Sequence, residues 1–463
     1  MMLRRLARAA SLASGSALIL PAAAAAHSLS GRVDSPLPLV AYLAGAAAAV
    51  GLSFAFLTLT DSSPPSAPQA VRTVTVASWL RLLLRAVGLV AWIWIVIQAI
   101  VGGASDADVS SLFLWTYGWV GIAIISALVG PIWVWIDPFS TIHDLTAAIG
   151  RRLGVSGFTP LAYPRRLGAW PAVVGFAFFV WLELVAGVLG GRLLGVVLVG
   201  YTFVTLAGMA QFGRDEWRSR AETFTVWFDT LGRLAPLALA GHARHGRLRR
   251  RSFGSGLVGA DISTSRLVLV ILATGGILYD GLSQTQLFFD LFGQPTLLPG
   301  TLLLVTFLGL MCLVILGMAR LIGLRAMGSG LIPVAAGYLI AHYLTLLLVD
   351  GQRIVIALSD PLQQGWDLLG TAFFEPSTAW LPASFMWAVQ LAAVVGGHVV
   401  GAWAGHTAVR DQPVVGGWLG QLPLAIVMIG LTTATLWSLG QAVVFTEPGA
   451  TAMTVWPSSA DGS

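Results

Sequence analysis

The sequence predicts an all-α, polytopic integral membrane protein of about ten transmembrane helices after a cleavable signal peptide. Three observations predict it. Of 463 residues, 56% are apolar or aromatic and 10% are charged, against about a quarter charged in a soluble globular chain; mean hydropathy is +0.82. The apolar residues gather into runs close to the roughly 20 residues a bilayer-spanning helix needs. The arginines, finally, concentrate in alternate connections between those runs. The same composition excludes a disordered chain, a collagen-like repeat and a disulfide scaffold, because the 53 glycines have no fixed period and there is one cysteine.

The first element is the signal. Arg4, Arg5 and Arg8 precede the apolar stretch 9–20, then Pro21 and an alanine run closing on Ala24-Ala25-Ala26. Charged, apolar and small-residue parts in that order are expected to be removed with residues 1–26, so that His27 begins the mature chain. Residues 27–463 then form a single polytopic helical membrane domain.

Apolar windows follow at 36–60, 84–103, 112–136, 170–189, 193–212, 264–283, 298–320, 330–349, 384–404 and 418–441. They read as helices, since an open sheet cannot satisfy its backbone in lipid and barrel strands alternate rather than run apolar. All 26 basic residues are arginine. With His27 outside, 20 of them fall in the cytoplasmic connections, whereas Arg32, Arg192 and Arg353 fall outside. That is the positive-inside pattern of an inner-membrane protein with both mature termini outside.

The longest connection, 213–263, carries nine arginines against five acids. Its first part places Trp217, Phe224, Trp227, Phe228 and Leu231 among charges, as expected of an amphipathic helix lying on the anionic inner leaflet. Membrane lipid is therefore the expected partner of this basic surface, and nucleic acid is not. Gly191 with Gly195, and Gly397 with Gly401 and Gly405, have the spacing that lets helices pack closely. Cys312, inside an apolar run, reads as a small buried residue.

Ionisable groups within apolar windows carry the sharpest functional signal, because each is costly unless it faces the bundle interior and finds a partner. Four stand out: Glu183, Asp280, His342 and His398. Counted at about 1.5 Å per residue, the first three lie in the outer half of their helices and His398 near mid-depth, so all four are candidates for one outward-opening site. Two imidazoles and two carboxylates suit a divalent transition metal such as zinc, copper or iron, and equally a proton relay. Asp350, Gln352, Tyr279 and Tyr343 would border its mouth. His406 lies near the inner end of its helix; His143, His242 and His245 belong to basic loops. A mature N-terminal His27 would offer an amine and an imidazole to copper. There is no phosphate loop ending in Gly-Lys-Ser/Thr, no Gly-x-Ser-x-Gly, no His-Glu-x-x-His and no Cys-x-x-Cys.

Several stretches resemble a family of bacterial polytopic membrane proteins named fenitrothion hydrolase. They are His27-Ser28-Leu29-Ser30-Gly31-Arg32, Tyr163-Pro164-Arg165-Arg166-Leu167-Gly168 leading to Trp181-Leu182-Glu183, and Glu222 through Arg233 to Pro236. Asp280-Gly281, Ala341-His342-Tyr343 with Gly351-Gln352, and Gly397-His398-Val399 with Gly405-His406 continue the series. The resemblance implies a membrane-bound, metal-assisted hydrolase of organophosphorus-type esters. It would place catalysis and the metal on Glu183, Asp280, His342 and His398, a bound water being activated for attack on phosphorus. Composition favours a different class, an ion-coupled or metal transporter, whose coupling sites use the same residue types. A membrane scaffold or metal-delivery subunit is the third alternative.

Overall fold

The computed structural model describes residues 72–102, 108–154, 159–188, 190–241, 246–410 and 422–440, with isolated positions at 40, 44, 45, 48, 51–53 and 420. The expected signal peptide (residues 1–26), His27, His242, His245 and most of the 36–60 window lie outside the described residues.

In chain order the elements are β1 (Thr73–Thr75), α1 (Ser78–Val101), α2 (Val109–Leu128), α3 (Trp133–Ile136), α4 (Pro138–Arg152), α5 (Trp170–Leu184), α6 (Gly191–Phe212), α7 (Arg214–Arg220) and α8 (Thr223–Leu231). They continue with β2 (Leu237–Leu239), β3 (Arg247–Arg250), α9 (Thr264–Ser283), α10 (Gln286–Phe292), α11 (Leu297–Ile322), α12 (Leu324–Val349), α13 (Ile354–Ser359), α14 (Ala383–Arg410) and α15 (Leu422–Gly440). Eight helices among the described residues are long and apolar enough to cross a membrane: α1, α2, α5, α6, α9, α11, α12 and α14. Apolar α15 is shorter. Among the described residues, nine of the ten sequence windows contain one of these helices, and the isolated described positions of the tenth, 36–60, are helical too.

Two expectations need correction. The 112–136 window is not one helix: α2 ends at Leu128, because Gly130 turns the chain with φ +153 and Pro131 follows before the short α3 begins. The described residues are otherwise helical, as an all-α chain requires, apart from a small three-stranded antiparallel sheet of β1, β3 and β2 that pairs Val74 with Leu248 and Leu239 with Leu248. More consequentially, the part of the amphipathic segment that carries Trp227, Phe228 and Leu231 does not lie on the outside of the protein. Helix α8 folds back into the bundle, with Trp227 fully buried and stacked on Trp119 at 5.9 Å between ring centroids.

The ends of the helices sort by charge. At the arginine-rich end, β1 pairs with β3, the Ala169 amide donates to Ser265 Oγ at 3.0 Å, Arg214 meets Asp144, and Ser329 Oγ donates to the Leu257 carbonyl at 3.2 Å. At the other end, the Gly191 amide donates to Asp108 at 2.6 Å, and Trp94 donates to the Pro361 carbonyl at 2.8 Å. Helices α5, α9 and α12 all begin at the arginine-rich end and so run parallel.

Helix α9 is the axis of the bundle. Within its apolar window 83% of residues are buried, against 22% in α1 and α11, whose Leu82, Val90, Leu302 and Leu313 face outward, where they fit lipid. Paired glycines let neighbours close on α9 from two sides. A Cβ on Gly276 would stand 3.2 Å from Val180 of α5, and one on Gly275 2.8 Å from Leu308 of α11. The expected glycine seam on α14 packs against α12: a Cβ on Gly397 would stand 2.6 Å from the Pro333 carbonyl oxygen, and Gly401 and Gly405 likewise face Gly330 and Ala326. In the other pair only Gly195 is a packing residue, against Ala99; Gly191 opens α6 in a left-handed turn with φ +69.

Candidate functional site

One helical turn beyond the Gly276–Val180 contact, the parallel α5 and α9 present Glu183 and Asp280. Both are buried, and their carboxyl groups interact electrostatically. Helix α12, parallel to α9 on its other side, supplies His342 and Tyr343.

Asp280 is the hub. Its Oδ2 takes His342 Nε2 at 2.9 Å and accepts from Tyr343 Oη at 3.0 Å, while Oδ1 accepts from Gln284 Nε2 at 2.8 Å, one turn along α9. With Nε2–H donating to the carboxylate, His342 Nδ1 carries a lone pair. That nitrogen is buried and has no hydrogen-bond partner among the described residues. Tyr338, Tyr343 and Trp119 enclose the pair: the His342 ring stands edge-on to Tyr343 at 4.6 Å and to Tyr338 at 5.9 Å, and Trp119 meets Tyr343 at 6.2 Å. A side chain on Gly281 would strike Ser438 of α15 and crowd His342, so the absence of a Cβ lets α9, α12 and α15 converge here.

Of the four residues singled out in the sequence, then, Asp280 and His342 touch and Glu183 joins them electrostatically. His398 makes its hydrogen bond within its own helix. It is buried, its Nδ1 donates to the Val394 carbonyl of its own helix at 2.7 Å, and its Nε2 has no hydrogen-bond partner among the described residues. The expected mouth residues divide too. Tyr343 is inside the cluster, whereas Tyr279 packs on Phe288 and Phe307, Asp350 pairs with Arg353, and Gln352 binds the Ser377 backbone. Gln284 is the member the sequence reading passed over; its i+4 spacing from Asp280 was the available signal.

The metal implied by the resemblance was tested against this donor set. Among the described residues no three His, Cys, Asp or Glu side chains come together closely enough to hold a metal ion, and Asp280 Oδ2 is already engaged by His342 and Tyr343. The side chains as arranged do not fit a resident transition metal.

A second polar cluster occupies the arginine-rich end. Asp137 caps α4, accepting from the Phe139 and Ser140 amides at 2.8 and 3.3 Å, and it also meets Arg218 Nε at 2.8 Å, both side chains being buried. Asp144 pairs with Arg85 and with Arg214, each at 2.7 Å. Burial works to raise its pKa, but hydrogen bonds from His143 and Arg85 and the charges of Arg214 and Arg85 outweigh it and hold Asp144 well below the usual carboxylate range. Glu222 caps α8 and also accepts from Tyr201 Oη and Thr225 Oγ1. Burial first, then the Asp137 charge, push it above the usual value, against hydrogen bonds from Thr225 and Tyr201.

Beside Glu222 and Tyr201 lies an aromatic-lined cavity of about 480 Å³, walled by Trp92, Trp119, Phe179 and Phe224. No family model matches this chain, nor does any curated protein or any solved structure.

Proposed function

We propose that this is an inner-membrane, proton-coupled permease, both mature termini outside, whose coupling site is the chain Glu183–Asp280–His342–Tyr343. What supports this reading is that Asp280, in the most buried of the candidate spans, shares one carboxylate oxygen between an imidazole and a phenol. Carboxyl, imidazole and phenol linked in this way can pass a proton along the chain without burying a fixed charge. A small solute moving through the bundle would be coupled to that proton.

The test is charge displacement after a pH jump across supported membranes carrying the purified protein. Wild type is expected to give a transient that Asp280→Asn, which keeps the side-chain volume, abolishes. Equal transients in a variant that remains folded would sink the proposal.

The ester hydrolase implied by the resemblance is a second reading, favoured by one observation. His342, oriented by Asp280, keeps a buried Nδ1 lone pair able to take a proton from water attacking phosphorus. In its metal-assisted form, Glu183 and His398 would have to join Asp280 and His342 in one coordination sphere. Phosphotriester turnover together with elemental analysis of wild type and His398→Ala separates the forms: metal and turnover lost together support the metal-assisted one.

A further inference from the structure

The arginine-rich end contains a second recess, of about 410 Å³, bounded by the turn after α2, by α7 and α8, and by strands β2 and β3. Its charged lining is five arginines, Arg214, Arg218, Arg233, Arg249 and Arg251, and two acids, Asp215 and Asp229. The acids are taken: Asp215 pairs with Arg214 at 2.9 Å and Asp229 with Arg266 at 3.1 Å. Arg218 is matched to Asp137 through Nε, yet its buried Nη2 has no hydrogen-bond partner among the described residues.

Three guanidinium groups are left without a carboxylate partner among the described residues. Arg233 reaches only the Asp261 carbonyl at 3.3 Å, Arg251 donates to the carbonyls of Ala235 and Gly232 at 2.9 and 2.6 Å, and Arg249 projects from β3. They also crowd one another. Burial lowers the pKa of Arg233 and of Arg251; the neighbouring Arg266 lowers the first further, and Arg249 and Arg233 the second, against the charges of Asp229 and Asp261 on the first and of Asp229 on the second. Like charges gathered around a concave space, at the end of the bundle where the helices leave the apolar layer, are arranged for an anion that none of these side chains supplies.

We propose that this recess binds a phosphate-bearing anion through Arg233, Arg249 and Arg251. Planar forked donors suit a phosphate, and the volume is that of a small-molecule pocket rather than of a bare ion. The phosphate has two sources, the headgroup of an anionic phospholipid or a free phosphate in the aqueous phase.

The experiment follows thermal unfolding of the full chain in an uncharged detergent. It is titrated with inorganic phosphate, with pyrophosphate, and with short-chain phosphatidylglycerol beside phosphatidylcholine. Phosphatidylglycerol is expected to raise the midpoint and phosphatidylcholine to leave it unchanged. Arg249→Gln is expected to weaken the effect about fivefold, the share of one arginine near a charged headgroup, and Asp280→Asn is expected to leave it intact. A rise with inorganic phosphate or pyrophosphate as well assigns the source to the aqueous phase; a rise with the lipid alone assigns it to the membrane. No rise with any anion overturns the proposal. So does an equal rise with phosphatidylcholine, or an effect unchanged in both Arg249→Gln and the Arg233→Gln/Arg249→Gln double variant.

Discussion

The two ends of the bundle bury the same kinds of acid and neutralise them by different means. At the arginine-rich end, Asp137, Asp144 and Glu222 are held by guanidinium groups, helix-capping amides and hydroxyls. At the other end, Asp280 is held by an imidazole, a phenol and an amide. Fixed charges lock a structure, while groups that exchange protons leave its charge free to change. The first cluster therefore reads as architecture and the second as the place where work is done.

The largest expected effect breaks the architectural half. Arg218→Ala would strand the Asp137 carboxylate in a buried position, and removing one partner of a buried ion pair costs about 3–5 kcal/mol. The variant should show a sharply lowered unfolding midpoint or fail to accumulate as folded protein. Asp280→Asn, by contrast, should keep most of its stability and lose charge displacement. If instead the Asp280 variant unfolds and the Arg218 variant does not, the roles given to the two ends are reversed.

A smaller change sharpens the functional half. Tyr343→Phe removes one hydrogen bond to Asp280 and leaves the ring in place, so it should cost about 1 kcal/mol. It should also alter the pH dependence of charge displacement, whereas a purely packing role for Tyr343 would leave that profile unmoved.

The contrast between the ends was partly legible in the sequence. The spans were, because a bilayer demands long apolar helices and the arginines mark alternate connections; eight helices meet that demand by length and composition. Asp280 and His342 stood out because a charged or polar ring inside an apolar run needs a reason. That Asp280 and His342 meet depends on which faces of separate helices converge, and no spacing within a helix encodes this. The fold-back of α8 was hidden for a related reason. Trp227 and Phe228 among charges have the pattern of an interfacial helix, and only Asp137, opposite Arg218 but far away in sequence, and Tyr201, against Glu222, make it possible to bury that segment. The sheet was missed because β1 pairs with a strand remote in the chain and each strand is three or four residues long. Gly130 and Pro131 were visible, but averaging hydropathy over the apolar residues on both sides concealed the break.

The smallest expected effects come from pH, and they separate two carboxylates within the architectural end. Asp144 has a folded pKa held below the unfolded value of about 3.9, so its contribution is fully present above about pH 4 and is lost as pH falls toward the folded value. Glu222 runs the other way. Its folded pKa is raised above the unfolded value of about 4.3, so the native state binds its proton more tightly and stability declines as pH rises from there through the folded value. Asp144→Asn should therefore flatten the acid side of the stability profile and Glu222→Gln the side above about pH 4, as read from unfolding midpoints across a pH series. The Asp144 effect should be the weaker, because its side chain is about one-third exposed and solvent screens the pair. The same slope in both variants would mean that Glu222 is held as firmly ionised as Asp144, and that its hydroxyl and amide partners suffice to do what guanidinium groups do for its neighbour.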